Sequence, residues 1–105
     1  MKENIEYYIF IGCHDSQKLC EVVSEAELRE MVTKFFMRKN INFSMYSAKG
    51  GYFHKDGKFV SENSLCINII GAYDIDIIRL AKSLSMLMNQ ECSMVLKQVV
   101  KSEYN

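Results

Sequence analysis

Hydrophobic and polar positions along the chain repeat with two periods, and these predict six elements of secondary structure. Stretches rich in β-branched and aromatic residues, alternating with period two, predict strands at 5–11, 41–47, 58–70 and 93–101. Apolar residues at helical spacing predict helices at 24–38 and 74–89. The resulting element order is β-α-β-β-α-β.

Both predicted helices begin with a capping signal. Ser24 and Glu27 form a capping box, in which the Ser24 hydroxyl accepts a hydrogen bond from the Glu27 amide. An apolar stripe of helical period follows, formed by Leu28, Met31, Val32 and Phe35. Asp74 is a suitable N-cap for the second helix.

Two glycine-containing segments predict how the second and third strands meet. Asp56-Gly57 predicts a type I′ turn and therefore a tight hairpin. Gly50-Gly51 predicts a bulge or bend that interrupts the second strand, which resumes at Tyr52.

With right-handed crossovers, this element order predicts an α+β fold of the ferredoxin-like βαββαβ type. We expect an antiparallel four-stranded sheet in the order 4-1-3-2, with both helices on one face. The 105 residues are enough for a single ferredoxin-like domain, 1–105.

One face of the predicted sheet carries side chains that should not all face water. The alternation places these residues on the face away from the helices: Tyr8, Phe10, Tyr46, Cys66, Asn68 and Ile70. An apolar patch of this kind usually marks an interaction surface. We therefore expect a homo-oligomer formed through this open sheet face. The alternative is that the C-terminal segment or the 13–23 connection covers it.

Composition narrows the classes of function. Thirteen basic residues balance thirteen acidic ones, which argues against general nucleic-acid binding. The apolar runs are too short to span a membrane, so we expect no membrane partner. We recognise no signal-peptide pattern in the sequence. We therefore expect a cytoplasmic location, in which the four cysteines are reduced thiols. Many Lys, Asn, Ile and Ser residues without Trp or Pro suggest an AT-rich source, a low-GC bacterium or its phage.

No motif in the chain predicts a catalytic residue, a metal site or a cofactor. Cys13, His14 and Cys20 include metal-ligand residue types, but they lack the paired spacing of a tetrahedral zinc site. A cysteine nucleophile would need His14 or His54 beside it, and no known nucleophile signature surrounds Cys13.

Aromatic and polar residues of the central strands form the best candidate ligand site. Aromatic rings can stack on a base, while amide and carboxylate groups read its polar edge. The Gly-Gly bend can also offer backbone amides to an anion. The candidate ligand-binding residues are Tyr8, Tyr46, Lys49, Gly51, Tyr52, His54, Glu62, Asn68 and Gln90. The same residues would also suit a wet dimer interface.

Three short motifs resemble a family of small prokaryotic and phage proteins of unknown function. They are the hairpin KGGYFHKDGKFVSENS, the first strand YYIFIG and the late segment NQECSMVL. That family has a G-Q-G-x-W hairpin, an E-x-S segment and a Q-E-S-V stretch. Tyr52 stands here where the family tends to have Trp, and Cys92 replaces Ser. The resemblance implies no activity, and the positions that it marks are Gly51, Glu62, Ser64, Gln90 and Glu91.

These observations lead to three functional hypotheses. The first is a non-enzymatic binding module for a small polar or nucleotide-like ligand; in a phage it would sequester a host defence signal. The second is a protein-binding inhibitor that uses the open sheet face. The third is a small dimeric α+β barrel enzyme with His54, Glu62 or Tyr8 as acid or base, an analogy at the level of fold.

Overall fold

A computed structural model describes residues 1–12, 24–71, 75–88 and 93–103, and the following concerns these residues. Their secondary structure follows the predicted order of strands and helices. The elements are β1 (Lys2–Gly12), α1 (Glu25–Lys39), β2 (Ser44–Phe53), β3 (Phe59–Ile70), α2 (Ile77–Met88) and β4 (Ser93–Ser102).

The four strands form one antiparallel sheet in the order β2-β3-β1-β4. This is the expected order, counted from the opposite edge. In the centre of the sheet, Tyr8 of β1 lies opposite Asn68 of β3. The α+β class predicted from the sequence is confirmed.

The hydrophobic core lies between one face of the sheet and both helices. Alternate residues of β1 and β3 supply the sheet side, and they pack with buried residues of α1 and α2. The fully buried members include Ile9, Ile11, Leu28, Val32, Phe36, Leu65, Ile67, Ile69 and Leu84. Each such side chain contributes roughly 1.5–3 kcal/mol of transfer free energy. The opposite face of the sheet packs against neither α1 nor α2.

Helix α1 begins and ends at recognisable caps. The Ser24 hydroxyl accepts a hydrogen bond of 3.2 Å from the Glu27 amide, so this part of the predicted capping box is confirmed. At the other end Asn40 adopts the left-handed conformation, with φ of 54°. Its amide donates to the carbonyls of Met37 and Phe36, which closes the last turn.

Helix α2 is capped by a residue other than the predicted one. The Asp76 carboxylate accepts from the Arg79 amide at 3.2 Å, and its carbonyl accepts from Leu80 at 3.0 Å. Asp74, the predicted cap, lies outside the described residues. No helix in the described ranges is long and apolar enough to cross a membrane.

The predicted interruption of the second strand is wrong. Strand β2 is continuous, and Gly50 and Gly51 stay in register with Glu62 and Ser61. The ring of Phe59 fills the space beside Gly51, where a Cβ would lie 2.2 Å from its Cζ. Gly51 is thus needed for a close ring contact rather than for a bend.

The hairpin turn also differs from the predicted type I′ turn. The His54 amide donates to Lys58 at 2.8 Å, and the Gly57 amide donates to His54 at 2.9 Å. His54 and Lys58 thus extend the pairing beyond the strand ends, and the three residues 55–57 form the loop between them. Gly57 has φ of 86°, whereas Asp56 does not have the positive φ that a type I′ turn requires. The Asp56 carboxylate instead accepts from the Lys58 amide at 2.9 Å.

Candidate functional site

The side of the sheet away from α1 and α2, here called the open face, is the candidate site. Side chains of even-numbered residues in β1 and β3 point toward it, because the odd-numbered ones fill the core. Three open-face residues are nevertheless buried, namely Glu6, Cys66 and Asn68. Buried polar groups on a face that packs against neither α1 nor α2 indicate an organised surface rather than a solvated one.

A carboxylate with three donors forms the centre of the open face. One Glu6 oxygen accepts from the Tyr8 hydroxyl at 3.0 Å and from the Asn68 amide at 2.9 Å. The other oxygen accepts from the Gln98 amide. The four residues come from β1, β3 and β4, so the network joins three neighbouring strands.

This network changes the pKa of two of its members. Desolvation raises the pKa of Glu6, but hydrogen bonds from Gln98, Asn68 and Tyr8 outweigh it and hold the pKa below its usual range. The hydrogen bond to Glu6, followed by desolvation and nearby negative charge, raises the pKa of Tyr8 above its ordinary value. Near neutral pH the site is therefore an ionised carboxylate beside a neutral phenol.

Aromatic rings lie beside the network. The rings of Tyr8 and Phe10 stack with centroids 6.4 Å apart and an angle of 23° between them. Tyr46 is about half exposed and belongs to the same face, opposite Cys66 in the neighbouring strand. Burial raises the pKa of the Cys66 thiol, so its thiolate is disfavoured. The rings provide flat apolar surface on which a heteroaromatic ring can stack.

A groove of about 480 Å³ adjoins the Glu6 network on the side toward the beginning of β1. The wall of the groove includes Ile70 and Asn4. Ile70 lies opposite Glu6 in the sheet, and Asn4 precedes Glu6 by two residues in β1. The Asn4 amide donates to the Ser102 hydroxyl across the adjacent strands. The volume of the groove lies within the range of small-molecule sites. The complete lining is Met1, Lys2, Asn4, Asn42, Ile70, Gly71, Ser102 and Glu103.

The structure brings together only part of the predicted ligand site. Tyr8 and Asn68 lie opposite each other and share Glu6 as acceptor. Tyr46 lies one row further along the open face. Tyr52 belongs to the same side of β2, but six residues from Tyr46 correspond to roughly 20 Å along a strand. Tyr52 is therefore too distant to share one small ligand with Tyr8.

Lys49, Gly51 and His54 do not lie on the open face with Tyr8. Lys49 and Gly51 are on the other side of β2, the side on which Met45 packs against the core. His54 belongs to the hairpin loop, with Nδ1 3.5 Å from the Asp56 carboxylate. Alternation and distance separate these three residues from Tyr8, and their part in ligand binding stays a prediction.

Glu62 and Gln90 are the remaining predicted site residues. Glu62 pairs with Gly50 through its backbone in the hairpin. Gln90 lies outside the described residues, as do Cys13, His14 and Cys20. Among the residues that the structure does describe, no group of three or more His, Cys, Asp or Glu side chains could hold a metal ion.

The sequence interpretation omitted Glu6 and Gln98. Their signal was present, because Glu6 is a charged residue in an otherwise apolar strand and shares its side with Tyr8. Gln98 is opposite Glu6 in β4, and only the strand register reveals this.

Comparison with solved structures finds the same fold in a phage SAM lyase. The lyase in complex with S-methyl-5′-thioadenosine matches with a TM-score of 0.65 and 21% sequence identity, over 97% of this chain and 92% of the lyase chain. Its apo state matches with a TM-score of 0.66 and 21% identity, over 96% and 91% of the two chains. At this identity the likeness concerns the fold.

No family model and no curated protein sequence matches the chain. The resemblance drawn from the hairpin and NQECSMVL motifs therefore stays a prediction.

Proposed function

We propose that this protein binds an adenosine-containing sulfonium or thioether, of the type of S-adenosylmethionine (SAM) and S-methyl-5′-thioadenosine, on its open face. The observation that carries the proposal is the likeness of almost the whole chain to a lyase bound to S-methyl-5′-thioadenosine. This refines the sequence-based hypothesis of a module for a nucleotide-like ligand.

The open face supplies groups suited to such a ligand. Tyr8, Phe10 and Tyr46 offer rings on which adenine can stack, an interaction worth about 1–3 kcal/mol per base. The groove beside Asn4 and Ile70 has room for the rest of the molecule. The proposed site therefore extends from Tyr46 to that groove.

Removal of SAM can follow from binding alone or from cleavage. Cleavage to S-methyl-5′-thioadenosine breaks the bond between sulfur and Cγ of the methionine part, and the electron pair goes to sulfur. The four-carbon fragment then closes to a lactone through its own carboxylate, or loses a Cβ proton to a base and becomes an alkene. The lactone path needs no protein acid or base, so a positioning site would suffice.

We propose that the protein cleaves SAM after binding it, since the matched structures are of a lyase. A non-enzymatic protein that holds the ligand remains the alternative. Either form would suit a phage protein that depletes a host metabolite or signal. A cytoplasmic location and a ferredoxin-like homo-oligomer are parts of the same proposal.

Calorimetric titration with S-methyl-5′-thioadenosine and chromatography of SAM after incubation test the proposal together. We expect saturable heat, and release of S-methyl-5′-thioadenosine in proportion to protein and time. Saturable heat without product would support the holding protein. The variant Tyr46→Ala should weaken binding about tenfold, whereas Lys82→Ala, on the exposed side of α2, should not. No heat and no product would overturn the proposal.

A further inference from the structure

The buried carboxylate of Glu6 has no counter-charge in the described part of the chain. The residue is 8% exposed, and all three of its side-chain partners are neutral donors. No described lysine, arginine or histidine forms an ion pair with it. Lys97 is next in sequence to Gln98, the residue of β4 opposite Glu6. Its Nζ lies over the Tyr7 ring instead, 6.0 Å from the ring centroid.

An ionised carboxylate with neutral partners leaves a full negative charge at the surface of a partly desolvated site. Buried charges are normally paired, because desolvation without a counter-charge is costly. The donors from Tyr8, Asn68 and Gln98 keep Glu6 ionised and fix its orientation, but they do not cancel its charge. Such an oriented and uncompensated carboxylate would attract a cation from outside the chain.

The charge also lies at a suitable place in the open face. The stacked Tyr8 and Phe10 rings are on one side along β1, and the groove beside Asn4 and Ile70 is on the other. A ligand with an aromatic end, a central cation and a polar tail would extend over these three features in order. The attraction would be appreciable, since charges at a protein surface interact more strongly than in bulk water.

We propose that Glu6 is a specificity-determining residue that accepts the cationic centre of the ligand and so separates sulfonium or ammonium compounds from neutral thioethers. This inference rests on the proposed function and assigns the charge selectivity of that site. It also explains release after cleavage, because the thioether product no longer carries the positive charge.

Two adenosyl compounds test the selectivity without cleavage of the probe. Sinefungin carries an ammonium group where SAM has its sulfonium, and S-adenosylhomocysteine has a neutral sulfur with the same adenosine and amino-acid ends. We expect the wild-type protein to bind sinefungin about tenfold or more tightly than S-adenosylhomocysteine in calorimetric titrations. In Glu6→Gln the preference should fall to less than about twofold. Glu3→Gln, which removes the same charge from an exposed position of β1, should keep the full preference.

A second variant covers the case in which Glu6→Gln does not fold. Gln98→Lys places a cation beside Glu6 from an exposed position of the edge strand, where it should stabilise the carboxylate. Its preference for sinefungin should be lost as well, while Val99→Lys on the other side of β4 should retain it.

The outcomes separate the inference from the proposed function. Similar binding of both compounds by the wild-type protein would overturn the role of Glu6 and leave the adenosyl-binding proposal standing. A preference that survives in Glu6→Gln or Gln98→Lys would overturn it equally. Binding of neither sinefungin, S-adenosylhomocysteine nor S-methyl-5′-thioadenosine would overturn both.

Discussion

The ring of Phe59 in β3 lies against the bare backbone of Gly51 in β2, and a Cβ at Gly51 would overlap the ring at 2.2 Å. The same ring packs edge-on against Phe53, with centroids 5.3 Å apart. An exposed aromatic pair thus covers a glycine that would otherwise weaken the hairpin.

This contact predicts different effects for the two adjacent glycines. Alanine at either position limits the unfolded chain in the same way. Only Gly51→Ala must displace the Phe59 ring, because a Cβ at Gly50 would have no atom within 4 Å. We expect Gly51→Ala to be less stable than Gly50→Ala by about 1 kcal/mol in urea unfolding. The difference should vanish when Phe59 is replaced by Ala, and its persistence would contradict the ring contact.

The Glu6 network predicts a pH dependence of stability. Because its pKa in the folded protein lies below the unfolded value of about 4.3, Glu6 contributes stability that is present above that value. The contribution is lost as the pH falls through the folded pKa. Tyr8→Phe removes one donor and raises the pKa of Glu6 toward its ordinary value. We therefore expect the variant to lose less stability on acidification than the wild-type protein.

Urea unfolding from pH 6 down to the acid limit of the folded state measures this effect. Other carboxylates with lowered pKa, Glu25 and Glu30, are common to both proteins and cancel in the comparison. Tyr46→Phe, a tyrosine of the same face that makes no contact with Glu6 in the network, is the matched control. Identical acid profiles for Tyr8→Phe and the wild type would show that the hydroxyl does not stabilise the carboxylate.

The left-handed residue at the end of α1 predicts a backbone-specific effect. Asn40 has φ of 54°, a conformation that asparagine tolerates and glycine adopts freely. Asn40→Ala should destabilise the protein by about 1 kcal/mol, whereas Asn40→Gly should stay close to the wild type. Thermal unfolding of the pair measures the difference. Equal loss in both variants would mean that the asparagine side chain, rather than the backbone, matters at this cap.

Apolar side chains around the network predict self-association through the open face. About half of the surface of Met94 and Leu96, on the β4 side of the open face, is exposed. We propose that a second copy covers them. Native mass spectrometry should show a dimer or larger assembly, which Leu96→Lys should dissociate. Ile78→Lys, at an exposed position of α2, should leave it intact. A wild-type monomer at tens of micromolar would contradict the proposal.

The element order with right-handed crossovers was enough to predict the sheet order, and alternation was enough to predict the face away from the helices. The Gly50-Gly51 prediction failed because the Phe59 ring, eight residues later, compensates the missing side chains. The turn prediction failed because a two-residue and a three-residue loop share the same Asp-Gly signal.

The site was harder to predict than the fold. Tyr8 and Asn68 could be placed on one face from alternation, but their common partner Glu6 depends on the register between strands. Tyr52 lies on the same face as Tyr8 but far from it along the sheet. Assigning a residue to a face does not give its distance from the other residues of that face. The proposed charge selectivity rests on the absence of an ion-pair partner for Glu6 among the described residues, which only three-dimensional contacts can reveal.

A nuclear magnetic resonance titration with S-methyl-5′-thioadenosine tests the central claim most directly. We expect saturable shifts of the ring and side-chain signals of Tyr8, Tyr46 and Asn68, with the signals of α1 and α2 almost unchanged. Shifts confined to the helices, or no shifts at millimolar ligand, would contradict an adenosyl-binding site on the open face.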